Sequence, residues 1–273
     1  MNPLLSVRDP EPSPPERDGV PNRAVTMLGV QVHSVSPTEL VEYIVRTALS
    51  GRKVTVPNVN AYALNLAYEL PYLRTFFNTA DLVYCDGFGV AFAARLLGSP
   101  APRRLTPPDW IRQLAQAAEA RNLSLYFLGA LPGVADKAAQ RLVRQFPSLR
   151  VVGTHHGYFD QTLSSAENEA VVEGVNLVRP NILLVGLGMP LQERWLMENL
   201  EHLEINVALP VGALFDYLSG RLPRAPRWMA DHGLEWLGRL WVEPDRLWRR
   251  YLLGNPLFLW RVVKQRLGWV RCS

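Results

Sequence analysis

At 273 residues the chain is long enough to bury a sizeable core without staples, and its two cysteines, Cys85 and Cys272, exclude a disulfide framework or a cysteine-rich metal site. No stretch is long and apolar enough to be a membrane-spanning helix, and sparse cysteine use points to a reducing, cytoplasmic compartment. The net charge of +4 is unevenly placed: residues 221–273 carry +7 and six of the eight tryptophans, which leaves −3 on residues 1–220.

Residues 1–22 hold six prolines and mixed charges without an apolar core, the composition of a disordered tail rather than a signal peptide. The stretch 27–35 then alternates like a strand, and Ser36-Pro37-Thr38-Glu39 reads as a capping box that opens a helix over 37–49. Further short β-branched runs follow at 53–58, 81–86, 124–130, 150–157, 181–188 and 205–214. Helical periodicity lies between them at 61–77, 88–97, 107–121, 133–146, 164–178 and 190–202. Strands without a clean in/out alternation, each followed by a helix, predict an open α/β fold: a Rossmann-like, mostly parallel sheet with helices on both faces. The composition shift near Gly220 divides the chain into a tail (1–22), an α/β core (23–220) and a C-terminal helical appendage (221–273).

In such sheets ligands gather beyond the carboxyl ends of the strands, where helix N-termini present free N–H groups. That places Asn58, Asn60, Asp86-Gly87-Phe88-Gly89, Gly129 to Gly133, Gly157 to Asp160 and Gly186 to Glu193 on one polar rim. Locally, Asp86 reads equally as the N-cap of the following helix or as a general base at a strand end. Glu193 suits the first turn of a helix on macrodipole grounds, and Gln192 suits a surface. Neither glycine-rich turn has the spacing of a dinucleotide fingerprint or a Walker loop, which weakens a nicotinamide or ATP reading. His155 and His156 have no third ligand at suitable spacing, so no metal is indicated.

In the last 53 residues Arg interleaves with Trp, Leu and Phe, and Arg239, Arg246 and Arg250 would share a face if one helix ran through them, although Glu243-Pro244 breaks it. The pattern fits a basic amphipathic surface at a lipid interface, helices that merely pack on the core, or a nucleic-acid surface.

Taken in order, ADLVYCDGFGVAFAARLLG, YFLGALPGVADKAAQRL, FPSLRVVGTHHGYF, ILLVGLGMPLQERW, VGALFDYLSGRLPRAPRWM and GLEWLGRLWVEPDRLWRRY resemble the WecG/TagA/CpsF family of bacterial glycosyltransferases, over residues from about 27 to 265. The resemblance implies inverting transfer of a sugar, of N-acetylmannosamine type, from a UDP-sugar to a polyprenyl-diphosphate-linked saccharide at the inner face of the membrane. Branches that build capsule or exopolysaccharide use glucuronic acid or other hexoses. It implies Asp86 as the catalytic aspartate, Asn60 and the Gln192-Glu193 pair at the sugar, with the rim glycines Gly87, Gly129 and Gly188, and Arg239, Arg246 and Arg249 on the diphosphate in place of a metal ion. Members of the teichoic acid type carry threonine where this chain has Asn58, whose amide can donate a hydrogen bond as a hydroxyl does, so Asn58 joins Asp86 as a catalytic candidate. The appendage is then a membrane-associating lid. No cofactor and no nucleic acid are implied, and a homo-oligomer that covers the core when the lid lifts stays open.

Overall fold

The computed structural model describes residues 23–224, 229 and 233–269, and the side chains of Glu235 and Arg246 also lie outside what it describes. The expected tail, residues 1–22, therefore falls outside it. The architecture is the predicted α/β class, with departures where glycine or proline interrupts a run. The stretch read as a strand over 27–35 is a hairpin, β1 (Ala24–Met27) antiparallel to β2 (Val30–His33). Its two-residue loop has Leu28 at φ 48° and Gly29 at φ 81°, the turn whose twist matches that of paired strands. The capping box forms as read: Glu39 N donates to Ser36 Oγ at 3.2 Å, and Ser36 N donates to the Glu39 carboxylate at 2.7 Å. Helix α1 (Pro37–Ser50) starts there and ends at Gly51 in the left-handed region.

Pro57, which has no N–H to donate, sits where the next predicted strand divides. Before it, β3 (Val54–Thr55) pairs with β9 (Val207–Pro210); after it, β4 (Asn58–Val59) pairs with β5 (Tyr84–Cys85). One chain segment thus stitches together two sheets, of order β1-β2-β5-β4 and β3-β9-β8-β6-β7, where β6 is Ser124–Gly129, β7 is Arg150–His155 and β8 is Ile182–Gly186, and every pairing except the hairpin is parallel. The predicted helix 61–77 is likewise cut, into α2 (Ala61–Glu69) and α3 (Pro71–Thr79), because the ring of Pro71 disfavours helical backbone at Leu70. The remaining units follow the expected alternation: α4 (Phe88–Leu96), α5 (Pro107–Ala120), β6 (Ser124–Gly129), α6 (Val134–Gln145), β7 (Arg150–His155), α7 (Ala166–Val178), β8 (Ile182–Gly186), α8 (Leu191–Asn199) and α9 (Leu214–Ser219).

The inner strands β6, β8 and β9 are buried on both faces. Leu125, Phe127, Ile182 and Leu184 point into one apolar cluster with α1, α5, α6 and α9, whereas Tyr126, Leu128, Leu183 and Val185 point into another with α2, α3, α4 and α8. This is why the strands read as continuous apolar runs. Ring packing anchors the first cluster, with Phe127 stacked on Phe215 at 4.9 Å and Tyr84 edge-on to Trp110 at 6.3 Å.

The segment after Gly220 behaves as two parts. Helices α10 (Glu235–Val242) and α11 (Pro244–Trp248) meet at the predicted Glu243-Pro244 break, and a wide π-type turn over Arg249–Leu253 leads into α12 (Gly254–Arg266). Helix α12 is bound into the core. Phe258 and Val262 are fully buried in the second cluster, and Gln265 bridges the hairpin, accepting from Leu28 N at 2.9 Å and donating to Thr26 O at 3.0 Å. Arg261 donates to Asn65, pairs with Glu69, and lies 4.6 Å over the Tyr68 ring. Among the described residues no helix is long and apolar enough to cross a membrane.

Candidate active site

Asp86 is the residue immediately after β5. Its N–H donates to Val59 O at 2.8 Å, which continues the β4–β5 ladder by one step and delivers the half-buried side chain at the strand end. The N-cap of α4 is Gly87, not Asp86, and that helix start has no side-chain cap bond. Gly87 turns the chain at φ 118°, a conformation L side chains rarely adopt, so the glycine after the acid serves the turn.

Asn60 stands beside this turn: a side chain at position 87 would lie 3.7 Å from its Cβ. Asn60 Oδ1 accepts from Ala63 N at 3.0 Å and so caps α2. Asn58 faces the interior. It is 4% exposed, and its amide donates to Pro210 O at 3.0 Å and to the Tyr84 hydroxyl at 3.3 Å, which ties β4 to the end of β9 beneath the rim. Burial, then the charge of Asp86, push the Tyr84 phenol and the Cys85 thiol up, so the floor under the carboxylate is apolar and neutral.

Across the rim, Gly129 (φ 140°) sits where a Cβ would collide with the carbonyl of Gly186, so β6 and β8 can close up only on glycine. Gly188, at φ 81°, faces open space, and the cis Met189–Pro190 bond then leads into α8. Both members of the next pair are buried: Gln192 Nε2 donates to Glu193 Oε1 at 2.7 Å, while Gln192 Oε1 accepts from Gly212 N at 3.1 Å. Glu193 Oε2 has no hydrogen-bond partner among the described residues. Burial pushes the Glu193 carboxyl up to about 7, against the opposing pull of Gln192 and of the positive charge of Arg250.

The C-terminal segment brings cations to this acid. The Nε atoms of Arg239 and Arg250 are both out of solvent without a hydrogen-bond partner among the described residues, and the charge of Asp86 acts on each. For Arg239, burial works against the charge, but Tyr251, Tyr217, Asp86 and Glu243 together hold its guanidinium above the usual range. For Arg250, burial prevails and the neighbouring Arg239 adds to it. Arg249 is exposed and lies 5.2 Å over the ring of its neighbour Trp248; the Arg246 side chain is outside the described residues. A cleft of about 190 Å³ opens beside Arg239, lined also by Tyr217, Leu222, Arg224 and Glu243. Arg224 pairs with Asp109 at the start of α5 and tethers the root of the segment.

The structure therefore brings together Asp86, Asn60, Gly87 and Arg239 at one strand end, with Gln192 and Glu193 near enough for Arg250 to act on the latter. Arg250 shared the helical spacing of Arg239 but not the family's motif position; it lies in the widened turn at 249–253, with its guanidinium over the Tyr62 ring. Among the described residues no group of three or more His, Cys, Asp or Glu gathers where it could hold a metal, and the rings of His155 and His156 lie 4.5 Å apart, tilted by 41°.

Comparison with known proteins matches residues 25–271 to a family described as the glycosyl transferase WecG/TagA/CpsF family. Proteins of Staphylococcus aureus strains NCTC 8325 / PS 47 and COL, each named N-acetylglucosaminyldiphosphoundecaprenol N-acetyl-beta-D-mannosaminyltransferase, are 26% identical to the chain over 245 residues, covering 89% of it and 93% of their own length.

Proposed function

Since this chain belongs to the glycosyl transferase WecG/TagA/CpsF family, we propose that it moves a sugar of N-acetylmannosamine type from a UDP-sugar to a polyprenyl-diphosphate-linked saccharide in the synthesis of bacterial cell-surface polysaccharide. The staphylococcal relatives' name carries such an acceptor and such a sugar. The observation that supports the reading most is the half-buried carboxylate of Asp86, set at a strand end one residue outside the helix cap and within electrostatic reach of two half-buried lid arginines.

In this reaction Asp86 takes the proton of the acceptor hydroxyl as that oxygen attacks the anomeric carbon. The bond to the donor phosphate breaks on the opposite face, and UDP leaves with the electron pair, so the centre inverts once. Guanidinium groups of the lid, Arg239 first and with it the motif arginines Arg246 and Arg249, meet the charge of the departing diphosphate in place of a divalent ion. Asn60, Gly87, Gly129 and Gly188 shape the pocket, and Gln192 and Glu193 line the sugar. Asn58, bonded beneath the rim, positions the strand end that carries the site.

The test is a screen of UDP-sugars, N-acetylmannosamine and glucuronic acid among them, against polyprenyl-diphosphate N-acetylglucosamine, read by mass spectrometry. A disaccharide product with UDP-N-acetylmannosamine is the expected result, and the absence of any transfer from all donors overturns the reading. Asp86→Asn should lower turnover by roughly 10² to 10⁴, the usual worth of general-base assistance, without changing the melting temperature.

The same reading places the protein at the inner membrane surface. Trp241 is 89% exposed, and Trp248, Leu252, Leu253, Trp260 and Trp269 are exposed on the same C-terminal segment, close to Arg249, Lys264 and Arg266. Apolar rings beside basic groups suit an anionic lipid interface. A homo-oligomer that covers the core surface left when the lid lifts belongs to the same reading, because exposed apolar area is costly in water.

A further inference from the structure

We propose that Arg250, seated on Tyr62, is a principal cationic arm of the donor-diphosphate site, ahead of the motif arginine Arg249. The proposal rests on the reading that the donor is a nucleoside-diphosphate sugar.

Three observations carry it. The guanidinium of Arg250 lies 4.6 Å over the ring of Tyr62, two residues after Asn60 in the first turn of α2, so a lid residue is parked on the rim that also holds Asp86. Arg249, by contrast, is exposed and spends its planar face on Trp248. The two adjacent arginines, both in the wide turn over Arg249–Leu253, thus point to different environments.

The second observation is a pair of donors with nothing to donate to. Arg239 Nε and Arg250 Nε are both removed from water and unpartnered among the described residues. Buried donors are nearly always satisfied, and a charged one left open is a group that awaits a ligand.

The third is the balance of charge. The positive charge of Arg239 acts on Arg250, and the carboxylate of Asp86 acts on both. Two like charges in a half-buried place repel; Asp86 acts on both, whereas Glu243 acts on Arg239, so Arg250 is the less compensated of the two. An anion with two negative charges completes the set, and the planar fork of arginine matches phosphate oxygens. Tyr62 acts here as a positioning residue, holding the fork in place through its ring face.

The experiment compares binding of UDP and of uridine to the full chain by calorimetry, for the wild type and for Arg250→Ala, Arg250→Lys and Arg249→Ala. Arg250→Ala should lose about 10- to 100-fold in UDP affinity, the worth of a charge-assisted hydrogen bond, with uridine affinity unchanged. The loss should exceed that at Arg249→Ala by about tenfold. Arg250→Lys should regain part of it, since the charge persists without the fork. Equal losses for UDP and uridine at Arg250→Ala would mark a merely structural role and overturn the proposal. So would undiminished UDP binding there, or a larger loss at Arg249→Ala. Each of these leaves the UDP-sugar reading standing, whereas a wild type that binds UDP no more tightly than uridine removes both.

Discussion

Glu193 shows how far a residue's chemistry can depart from its local sequence. In a helix's first turn an acid is ordinarily a solvated partner of the macrodipole, yet here the side chain is fully buried, one oxygen is unpartnered, and its carboxyl titrates near 7. A raised acid pKa means that the folded protein holds a proton that the unfolded chain releases. The stability tied to that proton is complete below the ordinary 4.5 and is lost as pH climbs to about 7, a difference of about 3 kcal/mol. Glu193→Gln should accordingly match the wild type in denaturant stability near pH 4.5 and exceed it at pH 8. A gap of the same size at both pH values would refute this. Asp86 was legible as a strand-end acid, but only the backbone shows that the cap belongs to Gly87. Asn58 was legible as a rim polar residue, yet its amide is committed to Pro210 and Tyr84, partners far away in sequence.

At the scale of elements, local signals served where the determinant is local. The capping box of α1 and the break at Glu243-Pro244 formed where the residues placed them. The hairpin turn at Leu28-Gly29 and the change of sheet at Pro57 fall inside short apolar runs, where a single glycine or proline marks a break without saying which strand each half will pair with. Helix α12 is the element whose place matters most to the lid, because it fixes the lid's far end to α2 and the hairpin. Phe258→Ala should destabilise the protein by about 3 to 5 kcal/mol, the usual cost of emptying a buried aromatic site, as measured by chemical denaturation. A loss below 1 kcal/mol would mean that α12 is not part of the core.

For the whole molecule, the uneven charge noted in the sequence gains a direction. The C-terminal segment, whose Arg239 and Arg250 feel the charge of Asp86, also exposes Trp241, Leu253 and Trp260. An interface that engaged those rings would therefore bear on the elements that close the site. Paired substitution of Trp241 and Trp260 by Glu should lower binding to anionic phospholipid vesicles at least tenfold in a flotation assay. It should lower turnover on a long-chain lipid acceptor while sparing a short-chain, water-soluble one. Unchanged vesicle binding would show that the membrane meets another face.

By itself the sequence determined the alternation of strands and helices, the strand-end acid and the basic, tryptophan-rich end, because periodicity, caps and composition are properties of neighbours along the chain. Only the tertiary structure decided that two sheets share one segment, that the final helix belongs to the core, and that Arg250 rather than Arg249 packs on Tyr62. Those outcomes depend on contacts between residues far apart in the chain, where a half-turn of helix or one change of register sends a side chain to the opposite face.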